Sequence, residues 1–163
     1  MNISEHGIKL LALWEGLKTH IYLDAVKLPT IGVGHLLTKK ELDCKVIIIN
    51  NVCIDIAKEI TKEQALQLFY QDLQGFVKNV NNKVTVKLNQ NQFDTLVSFS
   101  FNIGVTAFNN STLLKKLNNG EYKEVSTQLK RWNKAQGKVI AGLINRRNKE
   151  IALWNSVGEY NGK

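Results

Sequence analysis

Apolar residues in this chain recur with a helical period from Ile8 to Leu17, then switch to a period of two between His20 and His35, with Gly16 at the break. A helix must therefore run straight into a short β-hairpin, which excludes an all-helical chain. Ser4 is the candidate N-cap of that helix. Ile8, Leu11, Ala12 and Glu15 fall on one face and Leu10, Leu13, Trp14 and Leu17 on another, leaving Glu5, Lys9 and Gly16 on a polar side. This pattern predicts a helix buried nearly all round, with Glu15 projecting from an apolar face and Gly16 as the stop. Desolvation should then favour the neutral form of the Glu15 carboxyl.

Beyond Gly16, Ile21 and Leu23 alternate with Tyr22 and Asp24, and Ile31 and Val33 alternate with Thr30, Gly32 and Gly34. Two strands joined through Ala25 to Pro29 make the hairpin. Tyr22, Asp24 and Thr30 face away from its apolar side, and the glycines let a ligand approach the backbone.

From Leu36 to Lys58 the pattern is weak, with Val46 to Ile49 as a third strand and Asn50-Asn51 as a turn. Thr61 and Gln64 form a capping box that opens a long helix carrying Ala65, Leu68, Phe69, Asp72 and Phe76 on one face. Asp72 there needs a polar partner. Further helices follow from Asn89 to Gly104, from Ser111 to about Leu117, from Glu121 to about Trp132 and, after a glycine-bearing loop to Gly142, to Trp154. The fold class is α+β, one domain over residues 1–163. A small β-containing lobe spans about 18–60, a linking helix about 61–80 and a larger helical lobe about 81–158, with the N-terminal helix 4–16 packed on the last.

The 163 residues, 44% of them hydrophobic, suffice for a real core. A formal charge of +8 predicts attraction to a polyanion: nucleic acid, an anionic membrane surface or an acidic wall polymer. Charge alone does not choose among them. The densest basic group is Lys130, Arg131, Lys134, Lys138, Arg146, Arg147 and Lys149. Apolar runs fall far short of a membrane span, and the N-terminus lacks the basic region and cleavage site of a signal peptide, so the expected product is soluble and cytoplasmic. Cys44 and Cys53 have neither Cys-x-x-Cys spacing nor a nearby histidine pair, so no metal or cofactor is expected. A disulfide and buried thiols both remain open for them, free thiols being favoured.

Glu15, Asp24 and Thr30 place two carboxyls and a hydroxyl within sixteen residues. Hydrolysis of a glycosidic bond needs such a pair: a protonated carboxyl for the leaving oxygen, and an ionised one to activate water or attack carbon. Glu15 among aliphatic side chains suits the acid, and Asp24 on a polar hairpin face suits the base. Spacing alone is not specific, since many Glu and Asp pairs share it by chance.

The motifs are specific. Trp14-Glu15-Gly16-Leu17-Lys18 with Tyr22-x-Asp24, Thr30-Ile-Gly-Val-Gly-His35, Phe101-Asn102-Ile103-Gly104, Ser111-Thr-Leu-Leu114 and Gly142-Leu143-x-x-Arg146-Arg147-x-x-Glu150-x-x-Leu153-Trp154 resemble the phage-type lysozymes, endolysins of glycoside hydrolase family 24. The resemblance covers nearly the whole chain in order. It implies a two-lobed lysozyme-like fold in one catalytic domain. It also implies a muramidase that hydrolyses the β-1,4 bond between N-acetylmuramic acid and N-acetylglucosamine in peptidoglycan, with inversion, to lyse the host cell at phage release.

By the same resemblance Glu15 matches the general acid, Asp24 the second carboxylate and Thr30 the hydroxyl that helps hold the attacking water. Leu36, Phe101 and Ser111 match positions lining the saccharide cleft. His35 and Asp72 match a buried structural ion pair. Arg146 or Arg147 is placed to approach Glu15, with a solvated basic face expected for at least one of them. The chain departs from the family at Lys27, where most relatives have glycine, so the turn is expected to be rebuilt around Pro29. It also departs over 41–59. The implied biology is a monomer without nucleic-acid partner or stable membrane insertion, held in the host cytoplasm until a holin permeabilises the membrane and then acting in the periplasm. A lytic transglycosylase and an inert wall-binding or nucleic-acid-binding module are the competing readings.

Overall fold

The computed structural model describes residues 1–157, so the expected end of the helical lobe at residue 158 lies outside the described residues. The elements run α1 (Glu5–Glu15), β1 (Lys18–Leu23), β2 (Pro29–Gly32), β3 (His35–Leu36), α2 (Lys39–Cys44), β4 (Val46–Ile49), β5 (Val52–Asp55) and α3 (Lys62–Lys83). They continue through α4 (Gln90–Ile103), α5 (Val105–Asn109), α6 (Thr112–Asn118), α7 (Glu124–Lys130), β6 (Lys134–Ala135), β7 (Lys138–Val139) and α8 (Ala141–Asn155). The fold is α+β, with an antiparallel three-stranded sheet β1-β2-β3 and two-stranded hairpins β4-β5 and β6-β7.

The chain divides into two compact units: Ile8–Gln74, and Met1–Gly7 together with the chain from Gly75. Only the first residues of α1 go with the helical unit, where its start is held: Ser4 N donates to Asp94 Oδ1 at 3.0 Å, the Ser4 hydroxyl donates to Asp94 Oδ2, and Gly7 N donates to Ser4 Oγ at 2.9 Å. From Ile8 on, α1 belongs to the smaller unit, which differs from the expectation of a helix packed whole on the helical lobe.

In the smaller unit Ile31, Leu37, Ile47, Ile49, Ile56, Ile60, Ala65 and Leu68 form the core, with Leu17, Ile21, Leu42 and Ile54 packed against it. The first turns of α3 therefore wall the same core as the strands. In β4 the period of two puts Ile47 and Ile49 inside and leaves Ile48 exposed. The Asn50-Asn51 turn has φ of 50° and 63° at its two residues, the double left-handed geometry of a tight hairpin that asparagine tolerates. Strand β5 and helix α2 were not visible in the periodicity. A capping box of Thr38 and Glu41 starts α2, and Lys45 at φ 54° ends it.

The expectation that α1 is buried nearly all round is corrected. Leu11 and Ala12 are buried, but Leu13 is 77% exposed and Glu15 is exposed, so only one face of α1 is covered. Cys44 and Cys53 are free, and both are exposed rather than buried.

In the helical unit α4 carries an unbroken buried run from Phe93 to Ser100 and packs on α5 and α8, while α7 packs on α6 and α8. Phe99 meets the ring edges of Phe108 at 6.2 Å and Trp132 at 5.6 Å, and the Arg147 guanidinium sits 5.0 Å over its face. The glycine-bearing loop before α8 is a minimal hairpin turned by Gln136 and Gly137, both at positive φ.

Candidate active site

Glu15 is the last residue of α1. Gly16, at φ 85°, donates its amide to Ala12 O at 2.9 Å and turns the chain into β1, a termination open to glycine because it has no Cβ. The side chain of Glu15 is exposed, so the expected dry setting is absent: α1 is covered on the Leu11 and Ala12 side, and nothing of like size covers Leu13.

Asp24 follows β1 and organises the turn beyond it. Its Oδ1 accepts from the amides of Val26 at 2.9 Å and Leu28 at 2.8 Å, its own amide donates to Leu28 O at 3.0 Å, and Lys27 N donates to Asp24 O at 2.9 Å. Among the described residues Oδ2 of this carboxylate takes no hydrogen bond and is open to a ligand. The turn is not rebuilt around Pro29. Lys27 itself takes the left-handed conformation, φ 63°, because the Asp24 carboxylate and the backbone bonds hold it there.

Tyr22 pairs with Thr30 across β1 and β2. Thr30 is 1% exposed, and its Oγ1 donates to Leu28 O at 2.9 Å, so the hydroxyl keeps only its lone pairs to offer. Lys18 Nζ stands 4.3 Å over the Tyr22 ring. The Tyr22 phenol is held above its usual pKa, first by partial burial and then by the charges of Asp24 and Glu15. Both carboxylates thus lie near enough to Tyr22 for their charges to act on its phenol.

Leu36 pairs with Thr30 on the other edge of β2 and is 53% exposed. Beside it, His35 Nδ1 lies 2.7 Å from Asp72 Oδ2, and Nε2 lies 3.2 Å from Glu41 Oε2. Burial would lower the His35 pKa, but the hydrogen bond and charge of Asp72, joined by those of Glu41, raise it above the ordinary imidazole value. Glu41 was missed in the sequence, although Thr38 three residues before it is a capping-box signal that could have placed it.

The other expected residues lie in the helical unit. Phe101 is half-buried with its ring edge-on to Phe76 at 5.4 Å. Ser111 is buried as the N-cap of α6, accepting from Leu114 N at 3.1 Å and donating to Phe108 O at 2.7 Å. With its proton given to Phe108 O, the hydroxyl could meet a saccharide only as an acceptor.

Arg146 and Arg147 do not form a solvated face. Both are buried, because Glu150 one turn on and Ser98 of α4 receive them. Arg146 Nε donates to Glu150 Oε1 at 3.1 Å and Nη2 to Ser98 Oγ at 3.1 Å; Ser98 Oγ also lies 2.8 Å from Glu150 Oε1. Arg147 Nη1 is 3.2 Å from Glu150 Oε2, a charge contact without hydrogen-bond alignment, and Nη2 donates to Asn102 Oδ1. Burial pushes the Glu150 carboxyl up against the opposing pull of the two guanidiniums, and pushes Arg147 down. Among the described residues no group of three His, Cys, Asp or Glu side chains could hold a metal ion.

Chemically, the smaller unit offers an exposed carboxyl at a helix end, a turn-bound carboxylate with one open oxygen, and a hydroxyl restricted to accepting. A model of the phage lysozyme family matches residues 12–150. The endolysin of Bacillus phage PZA is 40% identical, with 96% of this chain and 56% of that protein covered, and the endolysin of Salmonella phage P22 is 38% identical, with 96% and 99% covered. Among solved structures, a P22 lysozyme mutant superposes with a TM-score of 0.80 at 36% identity, over 96% of this chain and 99% of that one. The chain spans about half the length of the Bacillus phage relatives it matches. Among the described residues no helix is long and apolar enough to cross a membrane. With a family model matched across most of its length and a relative covered almost end to end, the chain belongs to the phage lysozyme family.

Proposed function

We propose that the chain is an endolysin of the muramidase type, a glycoside hydrolase that cleaves the β-1,4 bond between N-acetylmuramic acid and N-acetylglucosamine in peptidoglycan and so lyses the host at phage release. The observation that carries this reading is the placement of two carboxyls on either side of β1 within one unit, Glu15 at the end of α1 and Asp24 in the turn after the strand. Family membership supports the substrate class.

Glu15 is the general acid. It is exposed in the free protein, and a bound polysaccharide covers it, supplying the desolvation that keeps a carboxyl protonated. Asp24 is the base: Oδ1 holds the turn, and Oδ2 takes a proton from water. The Thr30 hydroxyl, already donating to Leu28 O, can only accept, so it orients that water by taking one of its hydrogens. A water between the two carboxyls makes the displacement single and the outcome inverting. Leu36 offers an exposed apolar side chain to a sugar face next to Thr30. His35, Asp72 and Glu41 serve as a structural cluster.

In this reading the protein works as a monomer, binds no nucleic acid, and passes from the host cytoplasm to the wall through a membrane permeabilised by a holin. Mass spectrometry of muropeptides released from purified peptidoglycan tests the reaction. Products with a hydrated muramic reducing end are expected, and 1,6-anhydro ends would identify a transglycosylase instead.

A further inference from the structure

A groove of about 540 Å³ opens on the smaller unit between α1 and α3, and its lining includes none of His35, Glu41 and Asp72. On α1, Lys9 stands one turn before Leu13; on α3, Lys62 stands one turn before Leu66; Ala12, Gly16 and Leu17 complete the lining. Its volume falls in the range of roughly 300–1,000 Å³ typical of ligand sites. Leu13 is 77% exposed, the most exposed large apolar side chain of any helix in the described residues. No carboxylate lines the groove, and both ionisable side chains that do are cationic.

We propose that this groove docks the protein on an anionic phospholipid bilayer, with Leu13 and Leu66 entering the acyl boundary and Lys9 and Lys62 meeting the headgroup phosphates. Lysine carries its ammonium on an apolar stem, so a lysine one helical turn from a leucine can satisfy both layers of a lipid surface at once. The two helices repeat that pair, and a lipid offers the matching order of anion and hydrocarbon. The net charge of +8 leaves nucleic acid, membrane and wall polymer equally attractive; the apolar lining of Ala12, Leu13, Leu17 and Leu66 separates the bilayer from the other two, which present no hydrocarbon. The docking is peripheral, since among the described residues no helix can span.

The test is sedimentation of the full chain with phosphatidylglycerol vesicles and with phosphatidylcholine vesicles at fixed salt, for wild type, Leu13→Gln, Lys9→Gln with Lys62→Gln, and Lys39→Gln with Lys40→Gln. The last pair removes the same charge from exposed positions on α2. Circular dichroism melts establish that each variant is folded, and Leu13→Gln alters a side chain already in solvent. Wild type is expected to sediment with phosphatidylglycerol and far less with phosphatidylcholine. Leu13→Gln weakens binding about tenfold, the worth of one leucine leaving water. The Lys9 and Lys62 pair weakens it at least as much, and the Lys39 and Lys40 pair leaves it close to wild type. The proposal is overturned if phosphatidylglycerol does not retain the wild type, if Leu13→Gln binds like wild type, or if both lysine pairs lose binding equally, which is adsorption by net charge. It is also overturned if Leu13→Gln abolishes a wild-type dimer in vesicle-free solution, which assigns the groove to a second copy of the chain.

Discussion

His35 Nδ1 lies 2.7 Å from Asp72 Oδ2, so a strand-edge imidazole and a carboxylate of α3 meet over a distance short enough for a charge-assisted hydrogen bond. Glu41 reaches the second ring nitrogen of His35 at 3.2 Å while its carboxylate also accepts from Thr38 N at 2.9 Å. One imidazolium thereby ties β3, α2 and α3 together.

That tie titrates. The His35 pKa is raised in the folded protein, so the stability it contributes is fully present below about pH 6.5, the unfolded value, and is lost as pH rises through the higher folded value. Thermal melts of wild type and His35→Asn between pH 6 and pH 9 should show the wild-type advantage shrinking with rising pH. Asp72→Asn should cost about 1.5–3 kcal/mol at pH 6, the range for a hydrogen bond to a charged group, and less at pH 9.

The start of α1 depends on a close approach. A Cβ at Gly7 would stand 2.6 Å from Asp94 Oδ2, and Asp94 is fully buried where it receives Ser4 and Gln90. Gly7→Ala is expected to destabilise by about 1–3 kcal/mol through overpacking, and Asp94→Ala by about 2 kcal/mol through the loss of a buried acceptor, both read in urea unfolding.

Glu150 is the fully buried centre of the α8 network. Glu150→Ala leaves two guanidiniums without their counter-charge and should cost about 3–5 kcal/mol in the same assay. Replacing Arg147 alone should be milder, because Arg146 and Ser98 still satisfy Oε1 of Glu150.

The Asp24 turn carries a strained residue. Lys27 sits at φ 63°, where glycine has no steric cost, so Lys27→Gly should raise the melting temperature, by about 0.5–1 kcal/mol of stability after the entropy of the glycine is counted. Lys27→Val should lower it, since a β-branched residue resists that conformation.

Where local rules decide, the residues were legible. Gly16 ended α1, Thr61 and Gln64 started α3, and the alternation around Tyr22 and Thr30 gave the hairpin that brings Asp24 to its place. Coverage by distant parts of the chain was not legible. The apolar surround of Glu15 in sequence said nothing about whether Leu13 would be covered, and it is not. At least one of Arg146 and Arg147 read as part of a solvated face because the α4 groups that receive them are far off in sequence, Ser98 being 48 residues from Arg146 and Asn102 45 from Arg147. Ser111 was read from a motif as a ligand contact, and its capping of α6, a use open to a hydroxyl immediately before a helix, was not read. Strand β5 escaped notice because Val52 to Asp55 expose all but Ile54, so no alternation marked them.

The central claim is that Glu15 delivers the proton to the leaving sugar oxygen with Asp24 ionised beside it. The most direct measurement is the rate of release of new reducing ends from purified peptidoglycan by folded wild type and Glu15→Gln, which keeps the shape of the side chain and removes its acidity. A loss of about 100-fold or more is predicted for Glu15→Gln, the lower end of what a positioned general acid contributes. A Glu15→Gln protein that melts like wild type and releases reducing ends at the wild-type rate would contradict the account.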